Sequence, residues 1–247
     1  MKRKDFIKSS VILGTGLSVL PSFTLAGLQE TFTRDMLIGK GNPNIVGNTY
    51  TSKMERATKE AYTRMKQAAA EAGFTIEVVS AYRSFQRQKE IFEGKYHRFT
   101  NQGLSPADAI DKIIEYSTIP GTSRHHWGTD IDLIDGGAKR PESVLQAKHF
   151  HGNGPFCKFK EWMNEHATSF GFYEVYTDHP ERKGFEYEPW HFSYAPVSIP
   201  MLEAYKNLDV KAILQAEQIA GSAYFTDDFI SRYRKQHILD INPELLP

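Results

Sequence analysis

The sequence predicts an α+β fold, a small antiparallel sheet flanked by helices. Short runs at 74–80, 129–134, 172–176 and 190–194 read as strands, and helix-patterned segments precede and follow them. That order of helices, a small sheet and further helices is the α+β arrangement. No internal repeat or low-complexity segment interrupts it.

Each element has a local cause. Residues 27–50 carry Gly39, Gly41, Pro43 and Gly47 and read as a loop-rich lead-in. Met54, Ala57, Ala61, Met65 and Ala68 recur at helical spacing, so a helix is expected over 54–72 with Gly73 as its stop. Ile76-Glu77-Val78-Val79 is the β-rich part of the strand at 74–80, and Arg83 lies just past its end. Ser84 or a neighbour caps a helix running to about 96. Ser105 and Pro106 open another as N-cap and first helical residue, turning Ala109, Ile110, Ile113 and Ile114 inward. Ile119-Pro120-Gly121-Thr122 is a turn, and Asp135-Gly136-Gly137 ends the strand at 129–134. A helix over 156–170 carries Phe159, Trp162, Met163 and His166 on one face. The polar loop at 177–186 is expected to shape one side of a cleft. From 199 onward the chain reads as mostly helical and charged, with Gly221 and Pro243 as breaks.

Composition narrows the function. The 247 residues are 40% hydrophobic and 24% charged, ordinary for a globular protein with a sizeable core. A formal net charge of +0 gives no field for nucleic acid or for an anionic membrane. Lys2, Arg3, Lys4 and Lys8 precede an apolar run from Val11 to Leu20, and Thr24-Leu25-Ala26 offers small residues for cleavage before Gly27. Residues 1–26 are therefore expected to be an export signal. Arg3-Lys4-Asp5-Phe6-Ile7-Lys8 also resembles a twin-arginine signal with Lys4 in place of the second arginine. No other segment is long and apolar enough to span a bilayer, so no integral segment is expected after signal removal. The expected division is 1–26 signal, 27–198 main domain and 199–247 helical extension. The lone cysteine, Cys157, cannot form an internal disulfide and reads as a buried structural thiol.

Two short segments concentrate the chemistry: Ser123-Arg124-His125-His126-Trp127-Gly128-Thr129-Asp130-Ile131-Asp132 and Glu188-Pro189-Trp190-His191. Two imidazoles and one carboxylate can hold a zinc ion and leave its fourth position open to water. A second carboxylate beside them can take a proton from that water. Gly128 permits the change of direction that brings a loop histidine and a strand carboxylate to one point. Asp130 and Asp132 share a strand face, so geometry alone allows either as the oxygen ligand, and His126 competes with His125. Pro189 keeps its segment extended, so Glu188 can stand beside the metal without ligating it. No serine or cysteine lies in a nucleophile elbow or paired motif.

At these residues the sequence resembles the D-alanyl-D-alanine carboxypeptidase metallopeptidases. Ser80-Ala81-Tyr82-Arg83-Ser84, Ser123-x-His125-x-x-Gly128-x-x-x-Asp132 and Glu188-x-Trp190-His191 follow in the family's order, and the likeness spans about 54–194. The resemblance implies a hedgehog/D-Ala-D-Ala-peptidase-like fold and one zinc per chain, held by His125, Asp132 and His191. It implies Glu188 as general base and Arg83 as a fixed positive charge near the oxyanion or the substrate's terminal carboxylate. Ser123, Tyr82, Gln88 and Trp190 are expected to contact substrate. The family pattern has alanine two residues before the aspartate ligand, where this chain has Asp130. That acid is expected either to steady a ligand from behind or to raise a neighbour's pKa. Trp127 is expected to narrow the cleft or stack on a glycan or peptide.

The implied function is a monomeric zinc carboxypeptidase in the periplasm or cell envelope, removing C-terminal D-alanine from peptidoglycan stem peptides at a D-Ala-D-Ala or L,D bond. A cross-bridge endopeptidase with the same zinc site and a catalytically silent cell-wall-binding module are the alternatives.

Overall fold

Thr33 accepts a hydrogen bond from Met36 N and caps a short helix α1 (Arg34–Leu37), the first element of a computed structural model that describes residues 32–247. The export signal expected over 1–26 lies outside the described residues. Strand β1 (Ile45–Val46) pairs with β2 (Met54–Glu55), so Met54 is buried in a strand rather than opening the helix expected from 54. Helix α2 (Arg56–Glu71) starts two residues later because the Glu55 carboxylate accepts from Thr58 N at 2.9 Å and serves as the cap.

Strand β3 (Ile76–Ser80) is followed by helix α3 (Phe85–Asn101), capped by Ser84 as expected. That helix continues past 96, and the chain leaves it only at Gly103, whose φ of +95° suits glycine. Helix α4 (Pro106–Ile114) has Ser105 as N-cap and buries Ala109, Ile110, Ile113 and Ile114. Strand β4 (Asp130–Asp135), helix α5 (Cys157–His166) and strands β5 (Phe172–Glu174) and β6 (His191–Tyr194) complete the central region. Helices α6 (Ala195–Lys206), α7 (Val210–Ala216) and α8 (Asp227–Tyr233) follow.

The main sheet has the order β3-β4-β6-β5, antiparallel throughout. Its pleat sends Ile131 and Leu133 of β4, with Phe192 of β6, into a cluster with Met65, Phe159 and Met163 beneath the sheet. Asp130 and Asp132 alternate to the opposite face. A second cluster joins α3, α4 and the C-terminal helices through Phe85, Ile110, Trp127, Met201, Tyr205 and Tyr233. Helix α6 runs across position 198, and Met201, Leu202, Leu214, Ile230 and Leu245 from the following residues are buried in this cluster.

Two further expectations are corrected. Trp127 lies in this core and not in a cleft: its indole donates to Leu37 O at 3.0 Å and its ring sits 5.9 Å from that of Tyr205. Cys157 is half-exposed at the start of α5 rather than buried, with Sγ 3.7 Å from a Glu161 carboxylate oxygen.

Candidate metal centre and active-site cavity

Pairing of β4 with β6 sets Asp132 directly opposite His191, so two of the expected ligands are cross-strand neighbours. His125 reaches them from a short 3-10 turn at Arg124–Trp127, which Gly128 ends at φ +75°. A Cβ at Gly128 would stand 2.4 Å from Ile45 Cδ1 and 2.7 Å from Glu55 N, so this turn requires glycine for both conformation and space.

The three side chains converge. His125 Nε2 is 3.5 Å from Asp132 Oδ2, and His191 Nδ1 is 3.9 Å from Asp132 Oδ1. One donor atom from each lies within 4.8 Å of the others, and all three residues are buried. Asp132 Oδ1 has no hydrogen-bond partner, an uncompensated buried lone pair directed where a cation would sit. Two imidazoles and one carboxylate fit zinc, so the residues present suit the metal.

Hydrogen bonds distinguish the competing donors. His125 Nδ1 donates to Ala81 O at 2.9 Å, which leaves Nε2 as the acceptor facing Asp132. His126 uses both nitrogens elsewhere: Nδ1 donates to Arg83 O at 2.6 Å, and Nε2 accepts from Gly121 N at 3.0 Å. Asp130 is likewise committed. It accepts from Arg124 Nε at 2.9 Å, Thr129 Oγ1 at 2.7 Å, Ser193 Oγ at 3.0 Å and His191 Nε2 at 3.0 Å.

The electrostatics follow from burial and these partners. Burial pushes the Asp130 carboxyl up, but Arg124 and then His191 outweigh it, and the pKa lies well below the usual carboxylate range. Burial pushes the His191 ring down, yet hydrogen bonds to Asp130 and Glu188 carry its pKa up to about 10. Burial, with Arg83 and His191 nearby, holds His125 well below 6.5, as a neutral donor. Burial lowers His126 to about 4. Burial raises Asp132, opposed by His191 and reinforced by Glu188.

Glu188 Oε2 lies 2.8 Å from His191 Nδ1, at the same point as the three donors. Arg83, Ser123, Trp190 and Glu188 join them in lining one cavity of about 530 Å³. Among the described residues, seven buried side-chain atoms lack a hydrogen-bond partner, and five belong to residues lining this cavity. They are Arg83 Nε, Thr118 Oγ1, Ser123 Oγ, Arg124 Nη1 and Asp132 Oδ1. Such a concentration marks a site prepared for a polar ligand. Phe185 and Glu186 line it too, so the loop at 177–186 does form one wall.

Two expected substrate contacts are not in the lining. Gln88 is fully buried: Oε1 accepts from Arg83 Nη1 at 2.9 Å, and Nε2 donates to Thr118 O at 2.6 Å. It therefore holds Arg83 from behind. Tyr82 instead donates to Gly39 O at 3.3 Å. Trp190 lines the cavity and also packs 5.7 Å from the Phe150 ring. Arg124 and Tyr176 are among the lining residues that the sequence did not single out. The only sequence signal for Arg124 was Asp130 itself, an acid in a buried motif that calls for a compensating cation. Tyr176 packs edge-on 5.1 Å from the His191 ring, two residues past the end of β5, and carried no functional signal in the sequence.

Residues 51–197 match the family model described as VanY: D-alanyl-D-alanine carboxypeptidase, more than half of the chain. Over 142 residues the chain is 28% identical to a D-alanyl-D-alanine carboxypeptidase of Enterococcus faecalis, covering 57% of this chain and 48% of that protein. It is 27% identical over 144 residues to the putative carboxypeptidase YodJ of Bacillus subtilis, covering 57% of this chain and 46% of that protein. The chain thus spans about half the length of these curated relatives. The solved structure of VanYB in complex with D-Alanine-D-Alanine is similar in fold, with TM-score 0.50 and 22% sequence identity, covering 72% of this chain and 92% of that one.

Proposed function

The chain belongs to the VanY D-alanyl-D-alanine carboxypeptidase family, and from that premise we propose that it is a zinc carboxypeptidase removing C-terminal D-alanine from peptidoglycan stem peptides. The observation that carries this reading is the convergence of His125, Asp132 and His191 beside Glu188 in one polar cavity. When bound by those three residues, zinc supplies Lewis-acid polarisation for the hydrolysis of an amide.

The chain's own groups supply the rest. The Glu188 carboxylate accepts a proton from the attacking water and returns it to the leaving amine nitrogen. The Arg83 guanidinium, held by Gln88 and Ser80 with Nε still unpartnered, offers a fixed donor to the developing oxyanion or to the terminal carboxylate. Ser123 Oγ, also without a partner, offers a hydrogen bond to the peptide. Trp190 gives the cavity an apolar wall.

Such a substrate lies outside the cytoplasm, which agrees with the export signal expected over 1–26 and with action in the periplasm or cell envelope. Among the described residues no helix is long and apolar enough to cross a membrane. The reading treats the protein as a monomer. The test is product analysis by mass spectrometry on defined tri-, tetra- and pentapeptide stems with zinc-loaded protein. Release of one D-alanine supports the proposal, and the stem that reacts identifies the bond. Intact stems alongside cleaved wall cross-links would replace it with a cross-bridge endopeptidase.

A further inference from the structure

We propose that the C-terminal segment at 234–242 holds the cavity wall that carries Glu188, with Asp240 as the positioning residue. The inference rests on the active-site reading above. The segment lies beyond residues 51–197, so the family match does not account for it.

Between β5 and β6 the chain runs from 175 to 190 without a helix or strand of its own. Loops of this length stay in one place only when something ties them down. Here the ties are specific. The Asp240 carboxylate accepts from the backbone N–H groups of Lys183 and Gly184, the latter at 3.1 Å. A charged acceptor on two adjacent amides is among the stronger hydrogen-bond arrangements. Arg182 donates to three carbonyls: Asp240 O at 3.1 Å, Thr177 O at 2.8 Å and Phe185 O at 2.7 Å. One guanidinium thus ties both limbs of the loop to the segment.

Packing follows the same line. A Cβ on Gly184 would fall 1.7 Å from Gln236 O, so the two backbones touch only because residue 184 is glycine. The His237 ring meets Phe185 edge-on at 4.9 Å, and Phe185 lines the cavity. Asn242 holds the root of the loop, with N donating to Val175 O and Nδ2 to Glu174 O, each at 2.9 Å. The far limb rests on the near one where Glu188 N donates to Tyr176 O at 3.0 Å. A general base must be held to a fraction of an ångström, and this loop has no element of its own to do so.

The experiment compares full-length, zinc-loaded wild type with Asp240→Ala, Asp240→Asn and Arg182→Met. Each is assayed for turnover of a D-alanine-terminated peptide, zinc content and amide hydrogen exchange at 183–188. Asp240→Ala is expected to lower kcat by about ten- to a hundredfold through misplacement of the base. Zinc stays at one per chain, and exchange at 183–188 speeds up. Asp240→Asn keeps one acceptor oxygen and restores most of the rate, which a general loss of stability would not. Arg182→Met gives the same pattern as Asp240→Ala and decides the matter if that variant does not fold. Turnover within about twofold of wild type in the folded variants, or unchanged exchange at 183–188, overturns the proposal. If wild type itself releases no D-alanine, the carboxypeptidase reading fails, and the exchange data alone decide whether the segment holds the loop.

Discussion

Asp130 Oδ1 accepts a hydrogen bond from His191 Nε2 at 3.0 Å, and the same oxygen accepts from Arg124 Nε at 2.9 Å. A buried anion behind an imidazole fixes the ring's orientation and leaves Nδ1 facing the other two donors. Arg124, itself buried and stacked 4.8 Å over the Trp127 ring, compensates the charge. The acid that departs from the family pattern therefore arrives with its own counter-ion.

Replacing Asp130 by Asn removes the charge and keeps the shape. Zinc affinity is expected to fall by about ten- to a hundredfold, the usual effect of losing a carboxylate behind a metal-binding histidine. Competition against a chromophoric chelator measures it. Unchanged affinity would mean that Asp130 serves packing alone.

Zinc uptake should be coupled to protons. In the metal-free chain the His191 pKa is pushed up to about 10, so the ring is charged at neutral pH. Metal requires the neutral ring, so binding between pH 7 and 8 expels a proton and apparent affinity rises with pH. Calorimetry in buffers of different ionisation enthalpy counts that proton. The same raised pKa stabilises the metal-free fold fully below about pH 6.5, and that stability is lost as pH rises through about 10. A metal-free protein whose unfolding free energy is unchanged from pH 8 to 11 would contradict the assignment.

Much of the site was legible because its parts are short-range. Gly128 and the strand period relate His125 to Asp132, and Glu188 lies three residues before His191. The choice between Asp130 and Asp132 was not a local matter. It depends on Arg124 and on Ser193, which donates to Asp130 from 63 residues away. Gln88 shows the same limit from the other side. A helical pattern shows which face a glutamine occupies but not that Thr118 O waits for it in the interior. Trp127 read as a cleft residue because its partner Tyr205 lies in the tail. The tail read only as helical and charged because Asp240 bonds to backbone amides 56 and 57 residues away, which no side-chain motif records.

Gln88→Leu tests the support behind Arg83. The exchange keeps the volume but strips Arg83 Nη1 and Thr118 O of a buried partner, at a cost of about 1–3 kcal/mol. Denaturant unfolding reads the loss, and turnover should fall as the guanidinium loosens. Wild-type stability would contradict the buried network.

Gly128→Ala tests the turn. Alanine would take a left-handed φ of +75° with its Cβ against Glu55 N, strain on the order of 1–3 kcal/mol. The turn carries His125, so zinc affinity should fall together with the melting temperature. A fall in melting temperature with intact zinc binding would separate the turn from the metal centre.

The most direct test of the central claim is Glu188→Gln, assayed for zinc content and for D-alanine release in the same preparation. The variant should keep one zinc per chain, because Glu188 stands outside the three-donor set. Its D-alanine release should drop by about a hundredfold or more, the share carried by a positioned general base. Undiminished release would contradict the base assignment, and loss of zinc would make Glu188 a ligand instead.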